Sequence, residues 1–167
     1  MIKLHGHLWR ALAAIKFALA ALLLLAGAAQ ARSNAGTEPG RVTIEIDKAT
    51  QRMTVHVDGE KRYTFRVSTG RAGFETPRGA FRPLRLAEMH YSRKYDNAPM
   101  PHSIFFTNVG HAIHATNAVG RLGRTASHGC VRLSPKDAAA LYALVERLGM
   151  RNTTIKITGA EPGSRRA

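Results

Sequence analysis

The chain has 167 residues, a length that suits one domain of ordinary size. With 44% hydrophobic and 22% charged residues it has material for a core, which excludes global disorder. The formal charge is +14, and the single cysteine rules out an internal disulfide. Residues 1–31 hold Lys3, Arg10 and Lys16 with no acid, then thirteen apolar residues at 17–29, then Ala-Gln-Ala at 29–31. A basic start, a short apolar run and small residues at a cleavage position form the pattern of a secretory signal. Export to the periplasm or cell envelope is therefore expected, with cleavage near Ala31. A bilayer span needs about 20 apolar residues, and Lys16 blocks extension of this run. No cysteine stands at the cleavage position to carry a lipid. Removing residues 1–31 takes away three basic residues and leaves a formal +11. In a cytosolic protein that charge would point to nucleic acid. In an exported one it argues against nucleic acid and leaves membrane or wall surfaces, through anionic headgroups or carboxylates, or a basic surface with no specific partner.

Residues 32–40 (RSNAGTEPG) read as a short flexible lead. Residues 41–47, 52–58 and 61–69 each alternate apolar and polar positions, with Val42, Ile44 and Ile46, then Met53, Val55 and Val57, then Tyr63, Phe65 and Val67 sharing a face. Joined by short turns, they predict an antiparallel meander with one buried face. Residues 70–81 are turn-rich; they lack the Lys-Ser/Thr ending of a phosphate-binding loop. Residues 82–101 show no sustained period and are expected to form a long loop. Strands are expected at 103–108 and 111–115. A helix follows, capped by Ser134, with Pro135 in its first turn and Leu141, Leu144, Val145 and Leu148 on one face, ending at Gly149. Residues 153–158 (TTIKIT) predict a last strand, and residues 159–167 a disordered tail. The expected fold is mostly β, a sheet or sandwich carrying one packed helix near the C-terminal end.

Cys130 sits in Ser127-His128-Gly129-Cys130-Val131-Arg132. A thiol is nucleophilic only as the thiolate, and an imidazole can draw off its proton. His111, His114 and His128 are the nearby candidates; His114, on a separate strand, would be held more firmly than a histidine of the same loop. Gly129 lets backbone and substrate approach, and the Gly129 and Cys130 amides are candidates to stabilise an oxyanion. The Arg132 guanidinium suits a carboxylate. The same four N and S side chains also permit a zinc-binding module.

The segment 114–133, HATNAVGRLGRTASHGCVRL, resembles the active-site signature of the L,D-transpeptidase catalytic domain family: a His, a spacer, Ser/Thr-His-Gly-Cys, an apolar residue, then Arg or Asn. VSTG at 67–70, TPRG at 76–79 and Met100-Pro101 match as well, so the similarity spans residues 41–158 as one catalytic domain. The resemblance implies a β-sandwich with its site in a cleft under a lid at 81–101, and no cofactor or metal. It implies Cys130 as nucleophile and His114 as base. His128, Gly129 and Ser127 would shape the nucleophile loop and oxyanion site, and Arg132 would meet the donor peptide. Tyr91 and Tyr95 would be wall residues of the lid. Family members commonly carry Gly or Ser after the base His, whereas this chain has Ala115, whose backbone carbonyl can still orient the ring. His111 lies outside the motif.

The implied reaction is acyl transfer on peptidoglycan stem peptides in cell wall biogenesis. The thiolate attacks the carbonyl of the third stem residue, the terminal D-alanine leaves, and the thioester passes to an amine of a second stem. Water as acceptor would make a carboxypeptidase, and a protein lysine an anchoring enzyme. A non-catalytic wall-binding domain is the remaining alternative.

Overall fold

The computed structural model describes residues 40–160. The expectations of a signal at 1–31, of a lead up to residue 39 and of a tail from residue 161 lie outside the described residues. Nine strands form two sheets. The first holds β1 (Val42–Asp47), β2 (Arg52–Val57), β3 (Glu60–Arg66), β4 (Gly79–Phe81) and β9 (Thr153–Thr158), in the order β3-β2-β1-β9-β4. The second holds β5 (Arg85–Ser92), β6 (Ala98–Phe105), β7 (Ala112–Ala115) and β8 (Val131–Leu133), in that order.

The expected meander is present as β1-β2-β3, antiparallel throughout. Alternation explains it. Val42, Ile44 and Ile46 of β1 and Met53 and Val55 of β2 all point into the core and are essentially inaccessible. The last strand, β9, returns beside β1 in parallel, placing Ile155 next to Ile44 and Ile157 next to Ile46. Each such side chain contributes about 1.5–3 kcal/mol by leaving water.

The helix α1 (Pro135–Leu148) begins and ends where the residues dictate. Ser134 Oγ accepts the Asp137 N–H at 3.1 Å, proline opens the first turn, and Gly149 closes the last at φ +93°. Its buried Ala138, Leu141, Leu144 and Val145 join one core with Ile44 and Ile155 of the first sheet and Ile104, Ile113 and Val131 of the second.

Residues 82–101 differ from the expected loop. They form most of the β5–β6 hairpin, with a single 3-10 turn at Arg93–Tyr95. The reversal uses Asp96 and Asn97, both left-handed at φ 49° and 53°, a conformation these two residue types tolerate well. Alternation was hidden because the hairpin is covered only in part, with Met89 and Tyr91 half-exposed, and because Pro99 and Pro101 stand within β6. Two further strands escaped notice by being short: β4 lies in the turn-rich stretch and pairs with β9, and β8 follows Cys130 directly.

Candidate active site

The strand β8 lies parallel to β7, with Ile113 beside Val131 and His114 beside Arg132. Successive strand residues face opposite ways. Ile113, Ala115, Val131 and Leu133 therefore enter the core, while His114 and Arg132 share the opposite face. Cys130, one step before β8, continues that face. His114, Cys130 and Arg132 line one cavity of about 520 Å³, closed on another side by the β5–β6 hairpin through Met89, Tyr95 and Pro99.

His114 is 6% exposed. Its Nδ1–H donates to the Ala115 carbonyl at 2.7 Å, a carbonyl being able only to accept, so Nε2 keeps its lone pair. Burial pulls its pKa down to about 4, with the Arg132 charge acting the same way against the Ala115 bond. The ring is neutral at neutral pH. Ala115 thus supplies by its backbone what the sequence asked of it.

Cys130 is partly exposed, its thiol 3.9 Å from the Gly110 carbonyl. Burial pushes its pKa up, against the opposing pull of the Ala112 amide and the Arg132 charge. Both shifts favour the uncharged forms, thiol and imidazole.

The loop before the thiol is bound from within. Ser127 Oγ donates to the Cys130 carbonyl at 2.5 Å and accepts the Gly129 N–H at 3.1 Å. Of the two amides named as oxyanion donors, Gly129's is thereby committed, which leaves Cys130's. Gly129 itself sits at φ +109°, and a Cβ there would lie 2.9 Å from the His111 ring. No other residue type fits without displacing that ring.

His128 accepts from Arg71 Nη1 at 2.7 Å through Nε2, since a guanidinium only donates. The ring stacks on Tyr95 at 4.6 Å and meets Phe74 edge-on at 4.9 Å. Burial and the Arg71 charge hold it below its ordinary pKa. It ties the hairpin tip to the loop that leads into Cys130.

A match to the YkuD model, described as the L,D-transpeptidase catalytic domain, covers residues 41–157. The chain belongs to this family. A Bacillus subtilis (strain 168) protein provisionally named L,D-transpeptidase YqjB is 28% identical over 119 residues, covering 64% of this chain and 68% of that protein. The L,D-transpeptidase from Stackebrandtia nassauensis is 30% identical with a TM-score of 0.65, covering 80% of this chain and 64% of its own. The L,D-transpeptidase LdtMt1, solved in complex with imipenem, shares the fold at a TM-score of 0.64 and 20% identity, covering 71% of this chain and 59% of its own. This L,D-transpeptidase domain thus spans about three fifths of the solved chains it matches.

The residues singled out in the sequence do not all meet. Tyr95 lines the cavity of His114, whereas Tyr91, 55% exposed, lines a neighbouring cavity instead. Among the described residues no group of three His, Cys, Asp or Glu side chains converges to hold a metal, so His111, His114, His128 and Cys130 do not assemble the zinc site their spacing permitted.

Three supporting residues were missed. Thr76 Oγ1 donates to the Gly129 carbonyl and accepts the Gly70 N–H, both at 2.9 Å. Lys48 Nζ donates to the Thr76 carbonyl at 2.7 Å. Gln51 holds Lys48 and Thr69 through three bonds of 2.6–2.9 Å. All three are buried. The signal for Thr76 was present in its TPRG motif; Lys48 and Gln51 lie in a turn with no local pattern.

Proposed function

We propose that this protein is a peptidoglycan L,D-transpeptidase, an acyltransferase that uses Cys130 as nucleophile and His114 as base. The observation that carries the reading is the shared face of β7 and β8. It presents a thiol, an unprotonated imidazole nitrogen and a guanidinium to one cavity. That set matches what acyl transfer from a peptide carrying a carboxylate requires.

The thiol gives its proton to His114 Nε2 as sulfur attacks the carbonyl of the third stem residue. A neutral ring can take that proton, and a protonated thiol holds it until substrate arrives. The Cys130 amide is the candidate donor to the developing oxyanion, and collapse of the intermediate returns the proton to the departing D-alanine amine. Arg132 receives the substrate carboxylate: among the described residues no carboxylate side chain lines the cavity, and the Arg132 guanidinium makes a long 3.4 Å contact to the Ala126 carbonyl. The thioester then passes to an amine of a second stem. The basic balance of the chain favours the anionic cell wall as its surroundings, and residues 1–31 would deliver it there.

A stem tetrapeptide ending in D-alanine, incubated with the protein and a second stem, tests the reading. Release of D-alanine with formation of a cross-link between third residues is expected, and both vanish in Cys130→Ala. D-alanine release that survives Cys130→Ala overturns it.

A further inference from the structure

Cys130 lies on the walls of two cavities. The first holds His114 and Arg132; the second, of about 330 Å³, holds His111, Lys94 and Tyr91, and neither His114 nor Arg132. His111 in turn is absent from the walls of the first. His128 lines both cavities and His90 the second; His128 is bonded to Arg71 and His90 packs edge-on against Phe105, so of the second cavity's three imidazoles His111 is the one with neither of these ties. His111 stands at the foot of the turn between β6 and β7, and its ring is fixed on three sides. Nδ1 lies 3.0 Å from Thr107 Oγ1, which also accepts the His111 backbone N–H at 3.0 Å. Phe106 stacks on the ring with centroids 6.1 Å apart. The edge carrying Cδ2 and Nε2 abuts Gly129, the residue before the nucleophile. A half-buried histidine held this firmly against the nucleophile loop, outside the pairing that positions His114, has no use in the acylation step.

We infer that His111 is a further catalytic residue, the base that takes the proton of the incoming acceptor amine when the thioester on Cys130 is resolved. The inference rests on the acyl-transfer reading above. The role takes the tautomer in which Nδ1–H is donated to Thr107 Oγ1, which leaves the Nε2 lone pair to accept a proton. Burial, and the charge of Lys94, hold the ring below its ordinary pKa, so it is neutral at neutral pH. Arg93 and Lys94 line the same cavity and no Asp or Glu does, which disfavours an ammonium there, so the acceptor enters as the neutral amine and has one proton to give up on attack. The acceptor nitrogen attacks the thioester carbonyl and its proton moves to His111 Nε2. A C–N bond forms, the C–S bond breaks, and sulfur leaves as thiolate. One proton then returns from His111 through the cavity solvent to the sulfur, restoring thiol and neutral ring.

The test separates the two halves of the reaction in the whole protein, with the stem tetrapeptide as donor and a second stem as acceptor. D-alanine release in the first turnover reports acylation, intact mass reports the thioester, and cross-linked product reports transfer. In His111→Asn, which keeps an N–H for Thr107, the first D-alanine is expected at a rate within about twofold of the parent. Thioester should accumulate and product formation should fall at least about tenfold, at or below the usual range for a lost general base. Hydroxylamine, a small nucleophile of enhanced reactivity that depends less on a general base, should discharge the accumulated thioester at nearly the parent rate. His111→Ala should behave alike. Product formation by His111→Asn at the parent rate, or equal loss of release and transfer in both variants, overturns the role of His111 while leaving Cys130 as nucleophile. A parent protein that forms no thioester overturns both.

Discussion

Burial sets the protonation of both members of the Cys130–His114 pair, and in opposite directions. A low-dielectric wall penalises whichever form is charged, so the imidazole loses its proton more readily and the thiol less readily. His114 therefore stays unprotonated down to about pH 4, as its proposed role as base requires. The acylation rate is expected to fall along an acid limb with its midpoint near 4, and alkylation of the free enzyme by iodoacetamide should accelerate only above the ordinary thiol range. An acid limb near 6.5, or rapid alkylation at pH 6, would mean a resting ion pair instead. The same shift bears on stability. Folded His114 binds its proton more weakly than the unfolded chain does, so its contribution is whole above about pH 6.5 and is lost as the pH falls through 4. The candidate pair and Arg132 were legible from residue type and motif. Their meeting on one face was not, because it depends on β7 pairing with a three-residue strand whose partner residues lie eighteen positions further on.

At the scale of elements, the β5–β6 hairpin forms one wall of the site, and its tip is held by Tyr95 on His128 rather than by backbone pairing to the nucleophile loop. An aromatic pair of this kind contributes about 0.5–1.5 kcal/mol beyond its buried area. In Tyr95→Ala the amides of residues 93–101 should exchange with deuterium roughly twofold to tenfold faster, with β1 and β2 unchanged. Unaltered exchange at the tip would show that the stack does not hold it. The elements that could be read locally were those with one wet and one dry face: β1, β2, β9 and α1 bury alternate or helically spaced side chains in one core. The hairpin carries too little one-sided burial to leave such a pattern, and only Asp96-Asn97 marked its turn. The buried supports Lys48 and Gln51 beneath the loop before Cys130 were likewise invisible, since long-range hydrogen bonds have no sequence period, whereas Thr76 was marked by its TPRG motif.

Across the described residues, the two sheets and the helix form a frame that holds the thiol, the ring and the guanidinium at one cavity on the second sheet, where the proposed reaction would run. The segment before the frame carries the expected address. If residues 1–31 direct export, the protein isolated from the cell envelope should begin at Arg32, and a product that retains Met1 would contradict that. The account as a whole turns on a single bond to sulfur. Intact mass of the protein after incubation with imipenem tests it most directly: one covalent adduct is predicted on the parent and none on Cys130→Ala. An unmodified parent, or an adduct that persists in the variant, would contradict it.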